Sequence, residues 1–554
     1  MPLVRKPIPG VVYPSKSDVD AFDALGLFDT RTMATAYSDV ARQHPERIAL
    51  SDHDVVHTHA ELDDLTDRVA AGLLDLGLRS GDRAAFQIPN SRELVIALLA
   101  CLKAGVIPIC TLAAHRAAEI GYLSRHAGAR AHLICTDDPK FDFAAFARKM
   151  QDEVPSLEHI IVARGEAGEG MTSLTALASR VAETELPARL ADVPDDPAQV
   201  ALFQLSGGTS GVPKIIPRFH NEYLYQMRNS GDLHGQTHAT VAFSPAPMMH
   251  NAPIICYWGP ALWRGGHVVC APNPTPAALA ELIALRRPTW MSVPLPMLVK
   301  MKAEGVLEPA HFAGVRMCTA AHAYRLAELT GADVVPLYGM TEGMISFGLF
   351  SDTDDVRKST VGRPTSPHDQ YRIVDPDTGE HLPNGCVGEF EFTGPSATRG
   401  YFDAEDRNRE AFAADGWVKS GDLMKIHAIG GERILSFEGR VKDVVSRGGE
   451  KINCQEVERA LASHPGVGAI ACVPMPDQVF GERMCAFVIP AAGTTPPTVA
   501  GLGAHLEAAG LAKFKWPERV EIVSEFPQTS SGKTSKPLLR ELIARQLTTE
   551  PAAS

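Results

Sequence analysis

Leu205-Ser206-Gly207-Gly208-Thr209-Ser210-Gly211-Val212-Pro213-Lys214 decides how the rest of the chain is read. It follows Val200-Ala201-Leu202-Phe203-Gln204, an apolar run of strand length. Glycine lets the backbone come close to a ligand and take positive φ. Successive N–H groups can then form a concave nest for phosphate oxygens. The hydroxyls add donors and Lys214 adds a point charge. A solvated Gly/Ser loop would carry the same composition, so the stretch alone leaves both readings open. A Walker-type loop requires a Gly-Lys closure. Here Lys214 follows Pro213, and at Gly532-Lys533-Thr534 a proline, Pro527, stands where the first glycine belongs. An ordinary P-loop NTPase is disfavoured.

Upstream of this loop, strand and helix patterns alternate. Leu62, Leu65, Val69, Leu73 and Leu76 mark an amphipathic helix over 61–78, closed by Gly77. A strand over 84–88 follows, then a helix capped by Ser91 and running to Lys103, then a strand over 106–110. A second alternating region spans Val241 to Leu337. This pattern predicts an α/β chain with doubly wound sheets. After Tyr371 the texture changes to short glycine-punctuated strands such as Val387–Phe392, a small β-rich subdomain. From Val441 a separate α+β domain is expected, with strands at 469–473 and 484–488. The expected division is 1–440 and 441–554. Segments 164–170 and 187–197 read as surface connections, and 548–554 as a disordered tail.

At 554 residues the chain is too long for one core. A charged fraction of 21% against 45% hydrophobic describes a globular protein, and a formal charge of −13 offers no footprint for nucleic acid. The N-terminus lacks a signal-peptide core, and the apolar run Leu94–Leu102 is far short of a membrane span. Ten scattered cysteines form no CxxC pair, which disfavours a zinc site or disulfide framework and favours a reducing cytoplasm.

The Ser-Gly-Gly-Thr-Ser-Gly-x-Pro-Lys order resembles the phosphate loop of the adenylate-forming superfamily. Acyl- and aryl-CoA synthetases, luciferases and the adenylation domains of peptide synthetases belong to it. Five further strings resemble its motifs, in family order. Tyr338-Gly339-Met340-Thr341-Glu342 follows an apolar strand. By resemblance Glu342 holds Mg²⁺, a metal that prefers carboxylate and phosphate oxygen, and Thr341 approaches the α-phosphate. In Ser420-Gly421-Asp422-Leu423, Asp422 would take the ribose hydroxyls. Gly439-Arg440-Val441-Lys442-Asp443 resembles the hinge, with Lys442 at the pivot and Arg440 near the ribose, and Gly448-Gly449 resembles the loop lining a thiol tunnel. Pro527–Lys536 resembles the segment bearing the catalytic lysine, which by position is Lys533. Val387-Gly388-Glu389 and Arg399-Gly400-Tyr401 also match. Taken singly, each string has a bland alternative: a surface acid, a turn, a hairpin, an exposed lysine pair.

Membership implies activation of a carboxylate by ATP with release of pyrophosphate, then transfer to a thiol. The ATP-binding set would be Ser206, Gly207, Gly208, Thr209, Ser210, Gly211, Lys214, Thr319, Gly339, Thr341, Asp422, Arg440 and Lys442. Lys533, Glu342 and His250 would be catalytic, and the C-terminal domain mobile about Lys442. Within the superfamily, Met249-His250-Asn251-Ala252-Pro253 and Ala114-His115-Arg116-Ala117-Ala118-Glu119-Ile120 resemble the 2,3-dihydroxybenzoate/salicylate–AMP ligases of siderophore assembly. Asn251 would bond the ring 2-hydroxyl and His250 would stand by the carboxylate. Cys256 occupies the position where dihydroxybenzoate enzymes have serine for the 3-hydroxyl, and a thiol is a weak partner. Leu337 replaces their valine. Both favour salicylate, with 2,3-dihydroxybenzoate and a catabolic aryl-CoA ligase as alternatives. Ala252 replaces the tyrosine that packs on the ring, which enlarges the pocket. Cys318-Thr319-Ala320-Ala321 departs from the family's Gly-Gly-Ala beside adenine. The acceptor would be coenzyme A or the phosphopantetheine of an aryl carrier protein, with no nucleic-acid or membrane partner.

Overall fold

The computed structural model describes residues 4–206, 213–272, 274–320, 323–448, 450–529 and 533–549. Its contacts divide the chain into two compact units. The first comprises 1–370 and 392–418, the second 371–391 and 419–554. Position 440/441 lies within the second unit, where strand Glu432–Arg440 meets the single turn Val441–Asp443.

The first unit is built on two α/β sheets. Among the described residues, one sheet has seven strands, ordered Met171–Ser173, His159–Arg164, Ala129–Cys135, Arg83–Gln87, Ile107–Ile109, Val200–Ser206 and Lys214–Phe219. Its neighbours are parallel except the last pair, which is antiparallel and flanks the glycine-rich stretch. The other sheet has nine strands. Its parallel centre runs Asp333–Gly339, Arg316–Thr319, Trp290–Met291, Val241–Phe243, His267–Val269 and Ile48–Ser51.

Local chemistry sets the element boundaries. Helix His59–Leu76 opens with a capping box between Thr58 and Glu61 and stops at Gly77, whose φ of 113° suits glycine. Helix Arg92–Ala104 starts where Ser91 accepts from the Leu94 amide and ends at Gly105. Every residue from Leu94 to Ala104 is buried. That includes Lys103, whose ammonium pairs with Asp63 and Asp67, each at 2.6 Å. Each leucine, valine or isoleucine so enclosed contributes about 1.5–3 kcal/mol.

Two expectations need correction. The connection over 187–197 begins as a helix, Leu186–Ala191, because Pro187 sits in its first turn, where the missing N–H costs nothing. Thr548 and Thr549 belong to the terminal helix Lys536–Thr549, so the expected tail begins later, and 550–554 lie outside the described residues.

The second unit holds two antiparallel-rich sheets. One orders Gln370–Val374, Val387–Thr393, Val418–Ile429 and Glu432–Arg440. The other orders Glu450–Asn453, Val444–Arg447, Gly481–Pro490 and Val467–Asp477, with Arg519–Ile522 parallel to Gly481–Pro490. Helix Cys454–Leu461 buries Cys454, Val457 and Leu461 against this sheet. Helix Lys536–Thr549 buries Leu539 and Ile543 with Ala471, Val473, Cys485 and Phe487.

Candidate functional site

In the first unit, Ser206 and Lys214 face each other in register at the mouth of the glycine-rich stretch. Gly207, Gly208, Thr209, Ser210 and Gly211 lie outside the described residues, as does Ala321. The Ser206 hydroxyl oxygen is buried and has no hydrogen-bond partner among the described residues, an orphan that a phosphate oxygen would satisfy. The Lys214 ammonium sits 4.2 Å from the centroid of the Tyr401 ring. The Tyr401 hydroxyl donates to Glu342 Oε1 at 2.9 Å. A lysine, a tyrosine and a glutamate from three distant segments are thereby joined.

Glu342 lies in the hairpin connecting Asp333–Gly339 to the antiparallel strand Ile345–Phe347, so it belongs to a tight turn rather than to a bare strand end. Gly343, at φ 141°, closes that turn, and a Cβ there would stand 2.1 Å from the Ser396 carbonyl oxygen. The Glu342 carbonyl accepts from Thr398 N at 2.7 Å. Only 8% of Glu342 is exposed. Among the described residues no three-ligand metal cluster exists. A single carboxylate suits Mg²⁺ that keeps most of its coordination for phosphate and water. With Tyr401 on one oxygen only, Glu342 fits that part.

The Thr341 carbonyl accepts from Arg218, which is fully buried. Burial lowers the Arg218 pKa, and Tyr223, Glu342 and Asp369 oppose that shift. Arg218 is ion-paired with Glu222 on the helix that follows its strand. Removing one partner of such a buried pair costs about 3–5 kcal/mol. Asp369, also buried, is pushed up to about 6 by burial, against hydrogen bonds from Ser396 and the pull of Arg218.

Residues Pro253–Trp258 wind as a π-helix, a form frequent at functional sites. Asn251 precedes it; its side-chain carbonyl accepts from the Tyr223 hydroxyl, and its amide donates to Met340 O at 3.5 Å. Cys256 and Leu337 are buried in one apolar cluster with Tyr223, and burial raises the Cys256 thiol pKa. Of the three, Asn251 is the one shown bonded to Tyr223, while Cys256 and Leu337 share its core. His250 is half-buried and its carbonyl accepts from Ile254 N at 3.3 Å. Thr319 ends its strand opposite Pro336, and Gly339 faces Ile345 in register.

In the second unit, Asp422 and Arg440 are register partners on adjacent strands, with Nε–Oδ1 at 3.2 Å. Lys442 lies in the turn Val441–Asp443, its carbonyl bonded by Arg540 at 2.8 Å. Lys533 ends a hairpin closed by Thr529 N to Lys533 O and by Ser535 N to Pro527 O, both 2.7 Å. Surrounding protein depresses its ammonium, with Arg440 adding repulsion and Asp422 opposing. Lys536, three residues on, behaves oppositely. Burial works against its charge, but Glu458 at 2.7 Å and Asp443 at 3.8 Å raise its pKa. Lys536 is therefore held in a structural ion pair. Gly448, at φ 57°, donates to Phe480 O at 2.8 Å, and Gly449 lies outside the described residues.

Sequence reasoning missed Arg218, Tyr223 and Ser396. Tyr401 lay in a quoted segment without a role. The spacing of Arg218, Glu222 and Gln226 at four-residue steps was the local signal available in the sequence.

The family model for the AMP-binding enzyme matches residues 37–402, and that for the AMP-binding enzyme C-terminal domain matches 456–533. The chain is 36% identical to a 2,3-dihydroxybenzoate-AMP ligase of Bacillus subtilis, covering 94% of this chain and 95% of the relative. It is 35% identical to a salicyl-AMP ligase / salicyl-S-ArCP synthetase of Mycobacterium tuberculosis, covering 98% and 96%. The apo structure of MbtA from Mycobacterium smegmatis superposes with a TM-score of 0.72 at 32% identity, covering 96% and 98%.

Proposed function

The chain belongs to the AMP-binding enzyme family, and from that premise we propose that it activates an aryl carboxylic acid, salicylate first among candidates. The product is an aryl-adenylate with release of pyrophosphate, and the acyl group then passes to a thiol. The observation that carries this reading is buried Asn251, held by the Tyr223 hydroxyl and by Met340 O at the head of the π-helix that bears Cys256. Its amide would meet an ortho hydroxyl, with Cys256 and Leu337 in the same buried core. The identities to dihydroxybenzoate and salicyl ligases support the substrate class.

In this reading the carboxylate attacks the α-phosphorus in line, forming the acyl–phosphate bond as the bond to pyrophosphate breaks. Ser206, the glycine-rich stretch and Lys214 hold the phosphates, and Thr341 addresses the α-phosphate. Glu342 would hold Mg²⁺, which supplies electrostatic stabilisation of phosphate charge. Gly339 and Thr319 line the nucleotide, Asp422 and Arg440 hold the ribose, and Lys533 supplies a cation for charge developing on the transferred phosphate. His250 stands by the carboxylate. Gly448 and Gly449 serve the thiol step, with Lys442 as the pivot between half-reactions and 440/441 as the functional boundary.

The acceptor is coenzyme A or a carrier protein: one relative is named a salicyl-S-ArCP synthetase and another a salicylyl-CoA synthase. A cytoplasmic setting accords with ten free cysteines, and no described helix is long and apolar enough to cross a membrane. A second reading, an aryl acid bulkier than salicylate, is favoured by Ala252, which is only half-buried beside Asn251. ATP–pyrophosphate exchange over salicylate, 2,3-dihydroxybenzoate, benzoate and anthranilate, with 2-hydroxy-1-naphthoate as the bulkier acid, tests both. Salicylate should lead; a lead for the naphthoate would favour the second reading, and exchange with none of the five would overturn the substrate class.

A further inference from the structure

Arg218, Glu222 and Gln226 stand at successive four-residue steps, from the end of strand Lys214–Phe219 into helix His220–Leu233. All three are buried. Arg218 Nη2 donates to the Ser396 carbonyl at 3.0 Å, and Gln226 Nε2 donates to the same oxygen at 3.1 Å and to Glu222 Oε1 at 3.0 Å. Ser396 is itself pinned, its hydroxyl donating to Asp369 Oδ1 at 2.7 Å and its amide at 3.3 Å. The other arm of the Arg218 fork holds the Thr341 carbonyl. The Ser396 carbonyl is also the atom that forbids a side chain at position 343. Thus one guanidinium ties together both flanks of the turn that carries Thr341 and Glu342.

We infer that Arg218 is a positioning residue for nucleotide activation, fixing the Thr341–Glu342 turn so that its hydroxyl and carboxylate are presented to phosphate and metal. Planar, always charged and forked, arginine can serve two carbonyls and a carboxylate at once, whereas lysine is a point charge and cannot. The turn would otherwise depend on Gly343, whose freedom favours many conformers. Glu222 neutralises the cation and Gln226 fixes the Glu222 oxygen, so the three residues work as one support. This rests on the reading of Glu342 as the carboxylate that holds the metal.

The test compares wild type with Arg218→Lys, which keeps the charge and loses the fork. Three quantities are read: the turnover of ATP–pyrophosphate exchange, the KM for the aryl acid, and the Kd for Mn²⁺ with α,β-methylene ATP present. Turnover should fall and the Mn²⁺ Kd should rise, each by about tenfold or more, as expected for losing a charged hydrogen bond. The aryl-acid KM should hold. An unchanged Mn²⁺ Kd overturns the inference. So does a raised aryl-acid KM alone, because Arg218 also lies 5.3 Å from the Tyr223 ring, and that pattern would report the ring instead. Should Arg218→Lys fail to fold, the isosteric Glu222→Gln must weaken Mn²⁺ in the same direction. Wild type that binds Mn²⁺ but exchanges with no aryl acid sinks the functional reading, while the Kd comparison still decides the role of Arg218.

Discussion

Arg440 reaches the carboxylate of Asp422 from the directly opposed position on the neighbouring strand, with 3.2 Å between Nε and Oδ1. The two are unequally placed. Asp422 keeps 9% of its side chain exposed and Arg440 keeps 53%. An ion pair with one partner in water contributes about 0–1 kcal/mol, so the bridge serves orientation more than stability. Asp422→Ala should therefore raise the KM for ATP by about tenfold or more, having removed a charged acceptor. Arg440→Ala should raise it less. Equal effects in initial-rate assays would contradict the assignment of the buried carboxylate as the principal ribose contact.

Lys533→Ala should cut acyl-adenylate formation by about 10²–10³, the range seen when one preorganised donor is removed from a site of developing charge. Lys536→Ala should act mainly on stability, since that ammonium is committed to Glu458 and Asp443. Single-turnover adenylate synthesis alongside thermal melting separates the two lysines.

In the proposed reaction Lys533 acts as a cation; although its side chain is exposed, desolvation by the surrounding protein and repulsion from Arg440 lower its pKa. Adenylation should therefore decline on the alkaline side earlier than an ordinary lysine would dictate. At saturating ATP, Arg440→Ala should move that limb to higher pH, and Asp422→Asn should move it lower. A pH–rate profile indifferent to both substitutions would remove Lys533 from the reacting centre.

Acid should destabilise the first unit before it affects the chemistry. Burial lowers His59, His132, His220, His234 and His267 to about 4 from an ordinary 6.5. The unfolded chain then binds more protons than the folded one between those values. Stability is fully present above about 6.5 and is lost as pH falls towards 4. Asp369 runs the other way: raised to about 6, it penalises the folded state more as pH rises from its unfolded 3.8. Five histidines outweigh one aspartate, so the melting temperature should drop steadily from pH 7 to 5. A flat profile would show that these rings are not held neutral.

Replacing Cys256 with serine should improve 2,3-dihydroxybenzoate relative to salicylate by about tenfold, the worth of one buried hydroxyl partner at about 1–3 kcal/mol. Exchange rates on the two acids give the ratio directly.

Local rules made much of the fold legible. Ser91 and Gly105 bracket one helix, Gly77 ends another, and alternating apolar runs announced the parallel sheets. The π-helix at Pro253–Trp258, buried at every residue, had no counterpart in the periodicity of the sequence. Motif strings located candidate residues along the chain, but not what supports them. Arg218 and Ser396 are distant in sequence, and a carbonyl oxygen that receives two donors leaves no trace in residue type. Likewise, motif position singled out Lys533 from Lys536, but the carboxylates that hold Lys536 in place left no mark in the string.

Nine of the ten cysteines are buried, and Cys386 is the one left partly accessible. A catalyst whose product is an activated acyl group exposes any surface sulfur to wasteful self-acylation. Keeping its own thiols enclosed and protonated makes the protein a poor trap for what it makes. It also leaves a single handle, so a maleimide dye applied to the folded chain should settle on Cys386 and leave the aryl pocket untouched.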